Sequence, residues 1–211
     1  RQGIRIALPL LAATLAVRGV YTLDRYFFER LEGLEVLGAY VLFISLANAM
    51  VSFLEAAVHV FSYPSLITAF QQKKPVQYRY ELQRLFYQTL TLASAFTAVA
   101  LLTIKPLLHW LGKPIYQEYQ GMFVWILSAT FLYSLGSVPH YALYAQGRDQ
   151  PIIHSHFVCL FVFVAATWLF SLRWQSVAVP LGLNAAFLLM LAWKTYAFIR
   201  FTPQSYQLFQ S

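Results

Sequence analysis

The chain has 211 residues, 59% of them apolar and only 11% charged, with a mean hydropathy of +0.57. An average soluble domain is about 45–50% apolar and about 25% charged. The composition therefore excludes an ordinary water-soluble enzyme and a disordered tail, and a single cysteine, Cys159, excludes a disulfide scaffold. The net charge of +7 reads as the Lys/Arg excess of membrane-protein loops, because no basic block with interleaved aromatics tracks a soluble face. The chain is expected to be an all-α polytopic membrane protein that binds membrane lipid and no nucleic acid. Arg1 in place of Met marks the first residue as other than the native start, so a signal peptide is not judged from it.

Taken in chain order, long apolar windows predict six helices over about 4–30, 39–70, 78–104, 118–146, 151–172 and 176–201. The breaks between them carry turn residues: Glu32 to Gly38, Gln71 to Pro75, Pro106 to Pro114, Gly147 to Pro151 and Arg173-Trp174. Pro106 to Pro114 is expected to hold a short interfacial segment. With such short links the whole of 1–211 is one transmembrane lobe. If the first residue is cytoplasmic, nine Lys/Arg fall on that side (Arg1, Arg5, Lys73, Lys74, Arg79, Arg84, Arg148, Lys194, Arg200) and five outside (Arg25, Arg30, Lys105, Lys113, Arg173). The positive-inside rule then puts both ends in the cytoplasm.

Three of these windows carry polar stripes. On the first, Thr14, Arg18, Thr22, Arg25 and Glu29 are spaced 4, 4, 3 and 4 apart, with Asp24 about a third of a turn away. Arg25 and Glu29 are placed to pair at i,i+4. On the second, Ser45, Asn48, Ser52, Glu55, His59 and Ser62 are spaced 3, 4, 3, 4 and 3. The fourth carries Thr130, Tyr133, Ser137, His140 and Tyr144, with Gly136 and Pro139 placed to kink it. The middle of the fifth window, residues 157–170, is almost wholly apolar, and the sixth has Asn184 and then little until Lys194, so both are expected to be scaffold against lipid. A charge at the bilayer centre costs about 2.5–3.5 kcal/mol on insertion scales, so Arg18 and Glu55 are expected to face either a water-filled path or each other in a packing pair. His154-x-His156 lacks the company a metal site needs, and Cys159 reads as a small core residue. Neither a metal nor a cofactor is expected.

The segments Tyr21-Thr22-Leu23-Asp24-Arg25-Tyr26-Phe27-Phe28 and Glu35-Val36-Leu37-Gly38-Ala39-Tyr40 resemble the start of the second half of bacterial polysaccharide flippases. These are the O-antigen and exopolysaccharide exporters of the multidrug/oligosaccharidyl-lipid/polysaccharide superfamily. There a Val-Gly-x-Tyr entry follows the Asp-Arg, and here it is interrupted by Leu37. Leu143 to Asp149 is similar to the family's turn between helices ten and eleven, and Pro64-Ser65-Leu66 to the end of helix eight.

The resemblance implies the C-terminal lobe, helices seven to twelve, of a two-lobe transporter in the bacterial inner membrane. Its partner would be a missing N-terminal lobe, and its cargo an undecaprenyl-diphosphate-linked oligosaccharide, moved by alternating access during lipopolysaccharide and other polysaccharide biosynthesis. It implies transport, not enzymatic chemistry. It also places Arg18, Asp24, Arg25, Asn48, Ser52, Glu55, His59, Tyr133 and His140 in a substrate-binding cavity. Arg18 and Arg25 suit a diphosphate, and Glu55 with His59 suits a coupling proton, sodium being the other coupling ion considered. A drug/cation antiporter of the same superfamily and a polytopic glycosyl- or acyltransferase remain the alternatives. An anionic cavity is expected for the first, and convergent catalytic carboxylates or His for the second.

Overall fold

The computed structural model describes residues 2–208, with side chains from Leu8 onward except residue 10. Arg1 and the side chain of Arg5, both counted in the topology, lie outside that description. The described residues are helical almost throughout and contain no strand. Helix α1 (Gln2–Leu54) runs through a five-residue π turn, Glu55–His59, into α2 (Val60–Gln71). Then follow α3 (Pro75–Leu111), the short α4 (Pro114–Glu118), α5 (Gly121–Ala145), α6 (Asp149–Ser171) and α7 (Ala178–Phe201).

Helix α1 is not one rod. Gly33 has φ 85° and ψ 171°, a conformation closed to residues with a Cβ. On either side the chain doubles back: the Tyr40 hydroxyl donates to Asp24 Oδ2 at 2.8 Å, and the Phe28 and Tyr40 rings stack 4.3 Å apart. In an unbroken helix residues 24 and 40 would stand about 24 Å apart. The expected seven-residue break at 32–38 is thus a single glycine, because helix resumes at once after it. We call the arms α1a (2–32) and α1b (34–54). Five helical runs are long and apolar enough to cross a membrane, and the first of them, Leu11–Gln71, is folded at Gly33, which makes six segments. The protein is an all-α, multi-pass membrane protein.

Two other expectations change. Pro106 does not end the third helix, which continues to Leu111 and stops where Gly112 adopts the left-handed conformation (φ 66°). At ~1.5 Å per residue α3 is about 55 Å long, well beyond a ~30 Å hydrocarbon core. Only 11% of its most apolar stretch is buried, so it flanks the lobe. The sixth window, expected to face lipid, is instead central. Ala178, Val179, Pro180, Gly182, Leu183, Ala186, Phe187 and Met190 on α7 are all buried. Its small residues let α6 and α7 approach closely. A Cβ on Gly182 would collide with the Thr167 side chain on α6.

The lobe has two apolar cores stacked along the helices. One holds Phe28, Tyr40, Phe43, Phe123, Cys159, Phe163 and Phe187. The other holds Met50, Leu54, Tyr78, Leu82, Ala142, Ile152 and Phe198. At the far end Gln146 ties helices together: its Nε2 donates to the Tyr78 hydroxyl at 3.1 Å and to Thr202 Oγ1 at 3.0 Å. The seam between the cores crosses α5 near 134–137, α6 near 156 and α7 near 194. Each helix carries a polar side chain at that level: Ser137, His156 and Lys194.

Candidate functional site: a cationic groove and a titratable seam

Two cavities meet in this region. An open groove of about 880 Å³ runs along α1a and is lined by Thr14, Val17, Arg18, Tyr21, Thr22, Arg25, Tyr26 and Glu29, with Tyr133 and His156 at its back. Arg18, Thr22 and Arg25 are exposed into it, one helical turn apart, as their spacing requires. Among the described residues neither arginine has a carboxylate within 4.0 Å; the expected Arg25–Glu29 pair does not form, nor does an Arg18–Glu55 pair. The Thr22 hydroxyl donates back to the Arg18 carbonyl at 3.0 Å, the usual way a threonine satisfies itself inside an apolar helix.

Behind the groove, at the seam between the cores, lies a smaller cavity of about 130 Å³. It holds Glu55, His59, Ser137, His140, Tyr141 and Lys194, and it shares Tyr133 and His156 with the groove. Of the nine residues expected in one cavity, Arg18 and Arg25 lie in the groove, Glu55, His59 and His140 in the inner cavity, and Tyr133 in both. Three depart from the expectation. Asp24 is fully buried at the hairpin, where its Oδ2 accepts from Tyr40 and its Oδ1 from the Arg25 backbone N–H at 2.6 Å. It fastens α1a to α1b and does not reach the groove. Asn48 and Ser52 line neither cavity, Asn48 being half-buried and Ser52 exposed.

The π turn explains why the second stripe divides. The Val60 N–H reaches back five residues to the Glu55 carbonyl, so this turn is wider than an α turn. Residues before it keep the outward register: Ser45, Ser52 and Glu55 are exposed. From its last residue on, polar side chains are turned inward: His59 and Ser62 are 3% and 6% exposed. Glu55 and His59 sit at the two ends of the turn.

Hydrogen-bond inventory fixes the chemistry of that pair. Ser137 Oγ lies 2.6 Å from the Ser134 carbonyl, which takes its one proton. It must then accept from His59 Nε2, 3.1 Å away. A neutral His59 ring therefore has a bare Nδ1. That atom has no hydrogen-bond partner, and Glu55 Oε1 stands 3.5 Å from it. Two facing acceptors repel, and one added proton turns the contact into an attraction. The Tyr141 hydroxyl donates to the Glu55 carboxylate at 3.2 Å and holds it in place. Glu55 and His59 thus face each other 3.5 Å apart across the inner cavity.

Four members of the seam lie outside the expected set: Ser137, Tyr141, His156 and Lys194. Lys194 is the clearest omission. It is 3% exposed on a membrane-spanning helix, not on the cytoplasmic rim, and taking it out of the loop count leaves eight Lys/Arg against five. Its signal was available, as the one charge within the 178–193 apolar run and its next turn. His154 is exposed and His156 turns inward, so the two do not act together. Asn184, on the same helix as Lys194, is a strut: its Nδ2 donates to the Trp125 and Pro180 carbonyls at 2.7 and 2.8 Å, and its Oδ1 accepts from Ser128.

No protein-family model matches the chain, and neither a curated protein nor a solved structure matches it. Fold and composition define the class, a multi-pass helical membrane protein.

Proposed function

We propose that this chain is one six-helix lobe of a transporter that moves a lipid-linked oligosaccharide, carried on undecaprenyl diphosphate, from the cytoplasmic to the external leaflet of a bacterial inner membrane. The observation that carries the reading is the groove itself: Arg18 and Arg25 face it from a membrane-spanning helix and have no carboxylate partner among the described residues. An unpaired arginine at the depth of Arg18 is costly unless an anion or water meets it. Guanidinium forks fit phosphate oxygens bidentately. The groove volume falls within the roughly 300–1,000 Å³ of ordinary ligand sites. A second lobe outside these 211 residues would close the open side, and rocking of the two would expose the groove alternately. The Glu55–His59 pair supplies a place for the coupling proton. A cation antiporter of the same superfamily fits less well, since two free arginines repel its cargo.

Photo-crosslinking tests the reading. A benzophenone side chain in place of Thr22, inside the groove, is expected to capture lipid-linked oligosaccharide in cells. The same probe at Leu102, 78% exposed on α3, is expected to capture phospholipid alone. Equal capture of the oligosaccharide at both positions would overturn the groove as its path.

A further inference from the structure

We propose that Lys194 and His156 form a second proton-binding site, one that takes up a proton when an anion enters the Arg18 groove. The inference rests on the anionic-cargo reading above and adds to it the group that registers the cargo's arrival.

Lys194 on α7 is buried, and no carboxylate lies within 4.0 Å of it among the described residues. Its Nζ stands 3.2 Å from His156 Nε2 on α6. The other ring nitrogen, Nδ1, stands 3.2 Å from the Ala13 carbonyl on α1a and can only donate there. Nε2 is thus the atom that meets Lys194. Two protonation states keep every hydrogen bond. In the first the pair carries one positive charge, an ammonium donating to Nε2. In the second the amine is neutral and still donates an N–H to Nε2. The two states differ by one proton and one unit of charge.

Charge on the pair costs free energy in a low-dielectric seam, and an anion nearby offsets part of that cost. His156 lines the groove as well as the inner cavity, so an anion lodged against Arg18 is a neighbour of the pair. The other titratable groups around it are known. From α1a, Arg18, Tyr21, Arg25, Tyr26 and Glu29 face the groove. From the π turn, Glu55 and His59 face the cavity, as do Tyr133, His140 and Tyr141 from α5. Cys159 approaches Lys194 from α6. The His140 ring lies parallel to His156, with ring centroids 5.8 Å apart. The acids in this set, Glu55 and Glu29, have no carboxylate oxygen within 4.0 Å of Lys194, while Glu55 and His59 share the inner cavity with the pair, so variants at Lys194 separate its proton from theirs. Linkage makes the effect reciprocal: an anion favours the proton, and the proton favours the anion.

The test is titration calorimetry on the full chain in lipid nanodiscs at about pH 8, where a phosphate ester whose last pKa is about 6 is already ionised. Farnesyl diphosphate is titrated in two buffers of different ionisation enthalpy, which counts protons taken up on binding. Isopentenyl diphosphate, a soluble ester, is the second arm and separates a lipid-borne diphosphate from a free one. The wild-type chain is expected to take up to one proton per farnesyl diphosphate bound. Lys194→Arg keeps a charge that does not titrate, so it is expected to bind at least as tightly and to take up fewer protons than the wild-type chain. Lys194→Met is expected to bind more weakly and likewise to take up fewer. Binding without uptake, or unchanged uptake in Lys194→Arg, overturns the proton site and leaves the cargo reading intact. No binding of either diphosphate overturns both.

Discussion

At the residue scale, the hairpin between α1a and α1b depends on a few atoms. The Asp24 carboxylate is buried and held by the Tyr40 hydroxyl and one backbone N–H. Tyr40→Phe removes one of these donors and leaves a buried carboxylate oxygen unpaired, which costs about 1–3 kcal/mol. Thermal unfolding in detergent is expected to show a lower Tm, while Tyr26→Phe, on a 64%-exposed ring of the same arm as Asp24, is expected to leave Tm unchanged. Equal Tm values for the two variants would contradict the staple. Gly33 has a different role at the same hairpin. No atom lies within 4 Å of a Cβ built there, so Gly33→Ala tests backbone strain alone, expected at about 1–3 kcal/mol. Gly38→Ala, equally uncrowded but helical, is expected to be neutral or stabilising by about 0.5–1 kcal/mol. A chain that tolerates both equally would not turn at Gly33 in this way.

At the element scale, α6 and α7 pack through small residues, and at Gly182 there is no room for a Cβ beside Thr167. Gly182→Ala is expected to destabilise the lobe by about 1–3 kcal/mol, the usual cost of overpacking. Thr167→Ala in the same chain is expected to restore part of that, because it removes the nearest atom, Oγ1. A double variant no more stable than Gly182→Ala would place the strain elsewhere. The same scale shows what the sequence could tell. The α1a stripe is legible because a regular helix keeps its period, and Thr14, Arg18, Thr22 and Arg25 do line one groove. The α1b stripe is legible only as far as Glu55. The π turn widens the next turn, and nothing in the residue pattern announces that, so the spacing alone puts His59 and Ser62 on the same face as Ser45 and Ser52. His156 and Lys194 escape for the opposite reason. Lys194 is a lone charge with no period, marked only by its energetic cost, and His156 sits in the short His154-Ser155-His156 run, which carries no helical period either. Asp24 stands off its stripe in the sequence, but its partner Tyr40 lies in another arm, and only the fold brings the two together.

At the scale of the whole molecule, α3 joins the two sides of the membrane. Lys74 and Lys113 flank it, and the helix between them is about 55 Å long. Reporter fusions at these two positions are expected to read opposite sides, and the same side at both would remove the six-pass topology. The two cores divide the lobe along its length, and the seam between them is where the charged and titratable groups collect. Such a layer gives the lobe a polar level within an apolar span, reached from the Arg18 groove through Tyr133 and His156.

The central claim is that a fixed positive charge in that groove carries an anionic cargo, and Arg18 tests it most directly. Surface polysaccharide is measured in cells lacking their native exporter and supplied with the protein joined to its second lobe, or with variants of it, with the membrane level of each variant checked. Arg18→Ala is expected to insert normally and to lower polysaccharide at least about tenfold, the equivalent of ~1.4 kcal/mol. Arg18→Lys is expected to restore it only in part, since an ammonium lacks the bidentate fork. Full polysaccharide from well-inserted Arg18→Ala would contradict the cationic groove as the path of the cargo.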